Sequence, residues 1–512
     1  MTQEKMRINR RQFVVGAATT GLGLSIGFAI PAASQQAFGD NKKGPLTPEV
    51  NAWVVIDADE TVTIRIARSE MGQGTLTGLA QLVAEELECN WDNVSWEYPT
   101  PGENLRRDRV WQSFGTGGSR GIRGSHQYVR EGGAMAREML IAAAAQQWKV
   151  DAADCVAANS IITHKPSGKT TSFGKVAGLA GTLVPPAEVT LKDPKDWKVV
   201  GKPKKRLDTL EKLTGKQVYG ADMMLPGMLN ASIKKCPVHG GKLISFDAEA
   251  VLSMPGVKSV VAVGDNAVAV VASTWWRANK ALDALPISWD KGENVNVSSA
   301  SIDEFLQEGL TADNTFVGNK VGDVSAGLKN AAKTYTADYS YPYQNHAPME
   351  PMNATAVWTK DRCEVWCPTQ NGESALAAAI SASELPAENC DVHKLSLGGG
   401  FGRRGAADFV TQAVLIAKTL PGTPVKLLWT REEDMLQGMF HPVTKARMTA
   451  GLDDDGNLDA LHMRISGQSI LATLMPQAIE NNDGMDPVVF QAMAPDGDHA
   501  ISYTVPDLLV DH

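Results

Sequence analysis

Apolar and polar positions alternate along this chain at two periods, and the switches between them mark its elements. Trp53-Val54-Val55-Ile56 and Thr61-Val62-Thr63-Ile64-Arg65-Ile66 read as strands around Asp57-Ala58-Asp59-Glu60, whose polar side chains suit a hairpin turn. Leu76, Leu79, Ala80, Val83 and Leu87 then fall on one helical face, and an alanine-rich stretch from Gly133 to Trp148 predicts a second helix. Between the helices lies a flexible loop, Thr116-Gly117-Gly118-Ser119. From Ser167 to Gly215, Pro, Gly and Lys dominate, which predicts an extended connector with little regular structure.

Period-2 runs return in Val257–Val263 and Ala267–Ala272, with a helix expected from Trp275 to Leu285. Residues 216–293 read as one compact unit on that basis. Further on, strands are expected up to Gln344, at Ala354–Trp358, at Val392–Leu397 and at Val425–Trp429. Helices are expected near Glu373–Glu384 and Ala407–Leu420, and Asp453-Asp454-Asp455-Gly456-Asn457 supplies a hairpin turn. The pattern is still strand-like at Val505–His512, which reads as a chain cut inside a strand.

At 512 residues the chain is too long for one core, so three or four domains are expected. A net charge of −9 argues against a nucleic-acid partner, and the one basic run, Lys202-Pro203-Lys204-Lys205-Arg206, lies in the connector. The first 34 residues have the form of an export signal. Arg10-Arg11-Gln12-Phe13 precedes a weakly apolar run broken by Gly16, Gly21, Gly23 and Gly27, and small residues follow at Ala32-Ala33-Ser34. Paired arginines point to the twin-arginine route and hence to a periplasmic protein, with association to the cytoplasmic membrane left open.

The six cysteines match no iron–sulfur or zinc spacing. Cys363 and Cys367 fall four apart on one strand, on the same face but too distant to bridge, so both are expected as buried packing. Any iron–sulfur relay therefore belongs to another chain.

Three segments carry the candidate chemistry. Met71-Gly72-Gln73-Gly74-Thr75 joins a strand to a helix; its glycines allow close backbone approach, and Thr75 is placed to cap the helix, leaving its first N–H groups for an anion. Gln344 stands shortly before His346 and Glu350, and an amide can donate to an oxo ligand without adding charge. Gly398-Gly399-Gly400-Phe401-Gly402-Arg403-Arg404 joins a strand to a helix but is neither a dinucleotide fingerprint nor a phosphate loop. Neither Gly124-Ser125-His126 nor Gly467-Gln468-Ser469 forms the Gly-x-Ser-x-Gly of a hydrolase.

In combination and order these segments resemble the molybdenum-binding subunit of the xanthine oxidase family, in the branch of isoquinoline 1-oxidoreductase beta subunits and membrane-associated bacterial aldehyde dehydrogenases. The resemblance runs from about Glu49 to His512. It implies an α+β, multidomain large subunit: a molybdopterin-binding piece at 45–166, the connector at 167–215, an α/β hammerhead at 216–293, and a molybdopterin-binding domain at 320–512, incomplete at its end. It implies hydroxylation of substrate with oxygen from water, and electrons leaving through the pterin to a partner subunit carrying [2Fe-2S] clusters. The branch suggests the cytosine dinucleotide form of molybdopterin and admits a cytochrome c subunit as electron acceptor.

By the same resemblance, Gln73 and Gly74 contact the pterin, Gln344 lies near the molybdenum oxo group, and Gly400, Phe401 and Gly402 line the metal. The metal itself is held by dithiolene sulfurs, and His346 and Glu350 act as supporting groups. Xanthine oxidases carry Gly-Lys-Glu after this Phe-Gly and an Arg before a His-Pro pair. Here Arg403, Arg404 and Phe440 stand at those places in the pocket, which disfavours purines and favours an aldehyde or N-heterocycle. The family's general-base glutamate is expected beyond residue 512, and neither Glu70 nor Glu350 matches it. That leaves two other readings open: a non-catalytic fragment, or a molybdopterin carrier without turnover.

Overall fold

The computed structural model describes residues 49–512, except Met475, Gln491, Asp498 and His499. The export-signal reading therefore lies outside the described residues. The chain divides into two compact units: residues 49–235, Leu243–Trp289 and Pro348–Asp434 form the first, and Cys236–Lys242, Asp290–Ala347 and Met435–His512 the second.

In the first unit the N-terminal hairpin forms as its pattern requires. Val54–Ile56 pairs antiparallel with Val62–Arg65, and Glu60 takes the left-handed turn position at φ 72°. Val94–Glu97 then adds in parallel, completing a four-stranded sheet with Glu49–Asn51. Against this sheet pack the helices Thr75–Leu87 and His126–Trp148, whose apolar faces share one core with Trp53, Ile64, Leu79, Val83, Met139 and Leu140. The second helix starts seven residues earlier than the alanine run alone suggests. The extra turns are polar, so composition gave no sign of them.

A seven-stranded mixed sheet forms the rest of this unit. Its order is Val257–Val263, Ala267–Ala272, Leu229–Lys235, Val425–Leu428, Asn353–Trp358, Cys363–Cys367 and Cys390–Lys394. This order corrects two domain expectations. Residues 216–293 do not stand apart, because Leu229–Lys235 pairs in parallel with Val425–Leu428 and so joins their sheet to that of 348–434. Nor is 320–512 one body, since Pro348–Asp434 belongs to the first unit and the flanking segments to the second. Helix Phe173–Ala180 likewise falls inside the expected connector, where its core residues Phe173, Val176 and Ala177 are fully buried. The Pro/Gly/Lys composition masked a short amphipathic pattern.

Beyond that helix the strap toward Arg206 is extended, and carboxylates hold it. Glu85 accepts from the N–H groups of Lys198, Val199 and Val200 at 2.8, 2.6 and 3.0 Å, and Glu86 from that of Lys192 at 3.0 Å. All six cysteines are free and buried, and Cys363 lies in register with Cys390 on the neighbouring parallel strand.

The second unit is built on a five-stranded sheet in the order Val317–Val321, Asp507–Asp511, Leu458–Gly467, Thr444–Leu452 and Lys333–Tyr341. The hairpin turn at Asp453–Asn457 forms, with Asp453 accepting from the N–H groups of Asp455 and Asn457. Among the described residues no helix is long and apolar enough to cross a membrane.

Candidate cofactor site

The two glycine segments converge in the first unit, and a third loop joins them. Leu397 N donates to Glu70 O at 3.2 Å, and Ser69 Oγ donates to Thr369 O at 2.8 Å. A side chain at Gly400 would meet Met71 Sδ at 2.8 Å and Gln370 Oε1 at 2.5 Å, so the loops there are already in contact. The loop Gly115–Ser119 is tied to both: Thr116 N donates to Gln370 O, and Ser69 N donates to Thr116 Oγ1. Arg68 holds the carbonyl of Gly115 from below and donates to Ser125 Oγ at 2.8 Å.

Gln370 is the residue that the sequence reading missed. Its Nε2 donates to Thr116 O and its Oε1 accepts from Gly402 N, both at 2.9 Å, so one amide spans two loops. The available signal was a cluster of Thr369, Gln370 and Asn371 between a strand end and a helix start.

The helix cap differs from expectation. Thr75 is the first helical residue, and Gly74 precedes it in a left-handed conformation at φ 85°. The anion at the helix start is the protein's own Glu70, whose carboxylate accepts from the N–H groups of Gly72, Gly74 and Leu76 at 2.8, 3.1 and 3.1 Å. A buried carboxylate satisfies the orphan amides and the positive end of the helix dipole better than a threonine hydroxyl. Arg206 completes the arrangement, donating to Glu70 Oε1 at 2.9 Å and to Gly72 O at 2.8 Å. Gln73 is exposed, and its amide closes its own loop: Oε1 accepts from Met71 N and Nε2 donates to Ser69 O, each at 2.7 Å.

Arg403 and Arg404 need the clearest correction. Their side chains are 2% and 0% exposed, and neither presents a guanidinium to a substrate. Arg403 pairs with both carboxylate oxygens of Asp408 at 2.9 and 2.8 Å and stacks over the ring of Trp429. Arg404 donates to Gly399 O and Pro368 O as well as to Glu350. The planar guanidinium suits such multiple carbonyl contacts, so Arg404 braces the glycine loop from behind, while Arg403 ties the start of the next helix. Glu350 is equally occupied: Oε1 accepts from Ala221 N and Asn353 Nδ2, and Oε2 from Gly398 N. By contrast Phe401 stands 65% exposed at φ 52°, held out by the turn between Gly399 and Gly402.

Gln344, Phe440 and His346 belong to the second unit. Gln344 O accepts from His441 N at 2.8 Å, and the rings of His346 and His441 lie 4.2 Å apart. Phe440 is half-buried between His239 and Tyr343, each ring centroid 5.9 Å away.

The open backbone of the first unit fits a pterin that brings its own metal ligands. Such a group needs neutral hydrogen-bond donors and close backbone approach, and a side chain at Gly72, Gly74 or Gly117 would meet only open space. Among the described residues no group of three or more His, Cys, Asp or Glu side chains is arranged to hold a metal ion.

Comparison with known proteins gives the same chemistry a name. The family described as a molybdopterin cofactor-binding domain matches residues 2–222, and a second family of the same description matches residues 307–475. A membrane-bound aldehyde dehydrogenase [pyrroloquinoline-quinone] of Gluconacetobacter polyoxogenes is 28% identical, over 90% of this chain and 60% of the relative. The beta subunit of the isoquinoline 1-oxidoreductase of Brevundimonas diminuta is 28% identical, over 94% of this chain and 67% of the relative. One chain of the nicotinate dehydrogenase of Pseudomonas putida is 27% identical, over 84% of this chain and 37% of the relative. The chain thus spans between 37% and 67% of the length of these curated relatives. Among solved structures, quinoline 2-oxidoreductase from Pseudomonas putida 86 matches 59% of the chain and 43% of its own, with TM-score 0.44 and 18% identity.

Proposed function

The chain belongs to the molybdopterin-binding subunits of the xanthine oxidase family, and on that premise we propose that the whole protein oxidises an aldehyde or an N-heterocycle with oxygen from water. The observation that supports this most is the meeting of three glycine-bearing loops, at 71–74, 115–118 and 398–402, in one unit. Gly72, Gly74 and Gly117, with open space where a side chain would stand, leave room for the pterin to approach the backbone, and Gln73 donates to it once its amide leaves Ser69 and Met71. Phe401 walls the substrate cavity. When bound, the molybdenum pterin supplies the two-electron redox centre; the chain's own residues hold it, exclude water around it and orient the substrate.

The cofactor is the cytosine dinucleotide form, the partner a small [2Fe-2S] subunit, and a cytochrome c subunit the further acceptor. The protein works in the periplasm after twin-arginine export. Aldehyde and isoquinoline relatives support the substrate class. The purine-recognising Glu of xanthine oxidases has no counterpart here, and arginines bonded within the protein, Arg403 to Asp408 and Arg404 to Gly399 O, stand in its place.

The test is to purify the whole protein with its iron–sulfur partner, assay molybdenum and pterin, and compare kcat/KM for an aliphatic aldehyde, a quinoline and xanthine. Stoichiometric pterin with xanthine at least tenfold poorer is expected. Absence of pterin would overturn the cofactor assignment, and comparable xanthine turnover the substrate class.

A further inference from the structure

Beneath the three glycine loops lies a buried lysine that no step of the proposed chemistry uses. Lys394 ends the strand Cys390–Lys394, four residues before Gly398, and its side chain is 6% exposed. Its Nζ donates to the carbonyl oxygen of Ala67, at the root of the segment that carries Glu70 and Gln73. Its stem runs between two rings, with Nζ 4.4 Å from the centroid of Tyr98 and 4.8 Å from that of Phe114. Both rings belong to the loops' own supports. Tyr98 Oη accepts from Glu70 N at 3.0 Å, and Phe114 immediately precedes the Gly115–Ser119 loop. Lys394 therefore touches the roots of all three glycine loops at once.

We propose that Lys394 is a positioning residue for the cofactor: its bond to Ala67 fixes the spacing between the Gln73 loop and the Gly398–Gly402 loop at the value that admits the pterin. The inference rests on the cofactor reading above. There is little slack for any other spacing, because Gly400 already touches Met71 and Gln370 closely enough to exclude a methyl group. Leu397 N to Glu70 O, at 3.2 Å, is the second bond across the same seam and a long one, so it does not hold the spacing alone.

The state of the amine agrees with a fixed internal bond. Burial pushes the Lys394 ammonium well below its usual range, and the Arg68 guanidinium pushes it in the same direction; Cys367, the opposing neighbour, is itself a thiol pushed up to about 12 by burial. Tyr98, the remaining titratable neighbour, is also pushed up by burial. Both effects favour the neutral amine, for which the two rings are apolar walls.

The experiment uses the whole protein with its partner and compares wild type, Lys394→Met, and a control, Val414→Ala, which removes core volume on the helix Asp408–Lys418. Three quantities are read: pterin and molybdenum content, the visible circular dichroism of the bound cofactor, and amide hydrogen exchange. Lys394→Met should retain pterin at least tenfold less well, with an altered cofactor dichroism in what remains. Exchange should quicken at least tenfold at 67–74 and at 397–402, while the helix His126–Trp148 stays protected. The control should lose comparable thermal stability yet keep its pterin and the wild-type spectrum.

Wild-type pterin content and dichroism in Lys394→Met would overturn the proposal, as would quickened exchange spread evenly over the first unit. If Lys394→Met fails to accumulate, exchange in wild type decides: protection at 67–74 and 397–402 must be lost together at one opening rate, and independent opening of the two loops refutes the pin. Failure of wild type to hold pterin would count against the cofactor reading instead.

Discussion

Arg404 reaches Glu350 twice, through its main-chain oxygen at 2.5 Å and its carboxylate Oε2 at 3.3 Å. Both side chains are buried, and the pair locks the start of the glycine loop to the segment Pro348–Pro351. Burial lowers the Arg404 pKa, and the Glu350 charge acts against that. Removing one partner of such a pair leaves the other charge buried and uncompensated, which typically costs about 3–5 kcal/mol. Arg404→Met should lower the stability of the first unit by that amount, measured as a fall in the urea midpoint. A loss below about 1 kcal/mol would show that the contact contributes little, as exposed pairs do.

Glu70 and Thr75 make opposite predictions about the same helix. Glu70→Ala removes the acceptor for three backbone amides, and charge-assisted bonds and caps together suggest a loss of about 2–3 kcal/mol. Thr75→Ala touches no cap and should cost less than about 1 kcal/mol. Urea denaturation of both variants separates these cases, and the reverse order would restore Thr75 as the cap.

Glu433 gives stability a pH signature. Burial raises its carboxyl from 4.5 to about 7, against the opposing bond from Lys235 N at 2.8 Å. Between those values the folded chain holds a proton that the unfolded chain has released, so stability falls as pH rises from about 4.5 to about 7. At about 1.4 kcal/mol per unit the difference amounts to roughly 3 kcal/mol. Glu433→Gln should abolish that slope. Parallel curves of unfolding free energy against pH for the two proteins would refute the assignment.

Export is open to a direct test. Changing Arg10 and Arg11 together to lysine should leave precursor in the cytoplasm, read by fractionation and immunoblotting. Undiminished periplasmic protein would rule out the twin-arginine route.

Local pattern made most elements legible, and it made the loops legible as candidates. The strands Val257–Val263, Ala267–Ala272 and Cys363–Cys367 fall where alternation and β-branched content place them. Periodicity reports only which face of an element is apolar, so it could not say which sheet Leu229–Lys235 would join. That pairing with Val425–Leu428 spans nearly two hundred residues, and it dissolved the expected domain boundary. At the site, the sequence identified Gln73 and Phe401 by kind, but the partners of polar groups are set by tertiary approach. Hence Arg403 and Arg404, charged and next to glycine, looked like pocket residues and are buried in internal bonds instead. Gln370 lies outside the three segments singled out and became visible only through its two bonds.

The bond from Ser69 to Thr369 joins residues 300 positions apart. At ribosomal rates of about 5–20 residues per second, its second half emerges some 15–60 s after its first. During that interval the Gln73 loop has no opposing wall, and closing so long a loop costs entropy that only the finished sheet offsets. The cavity is thus among the last parts of the first unit to exist. A cofactor must arrive after synthesis has passed the glycine loop, and insertion machinery that waits for that loop would meet a site just formed.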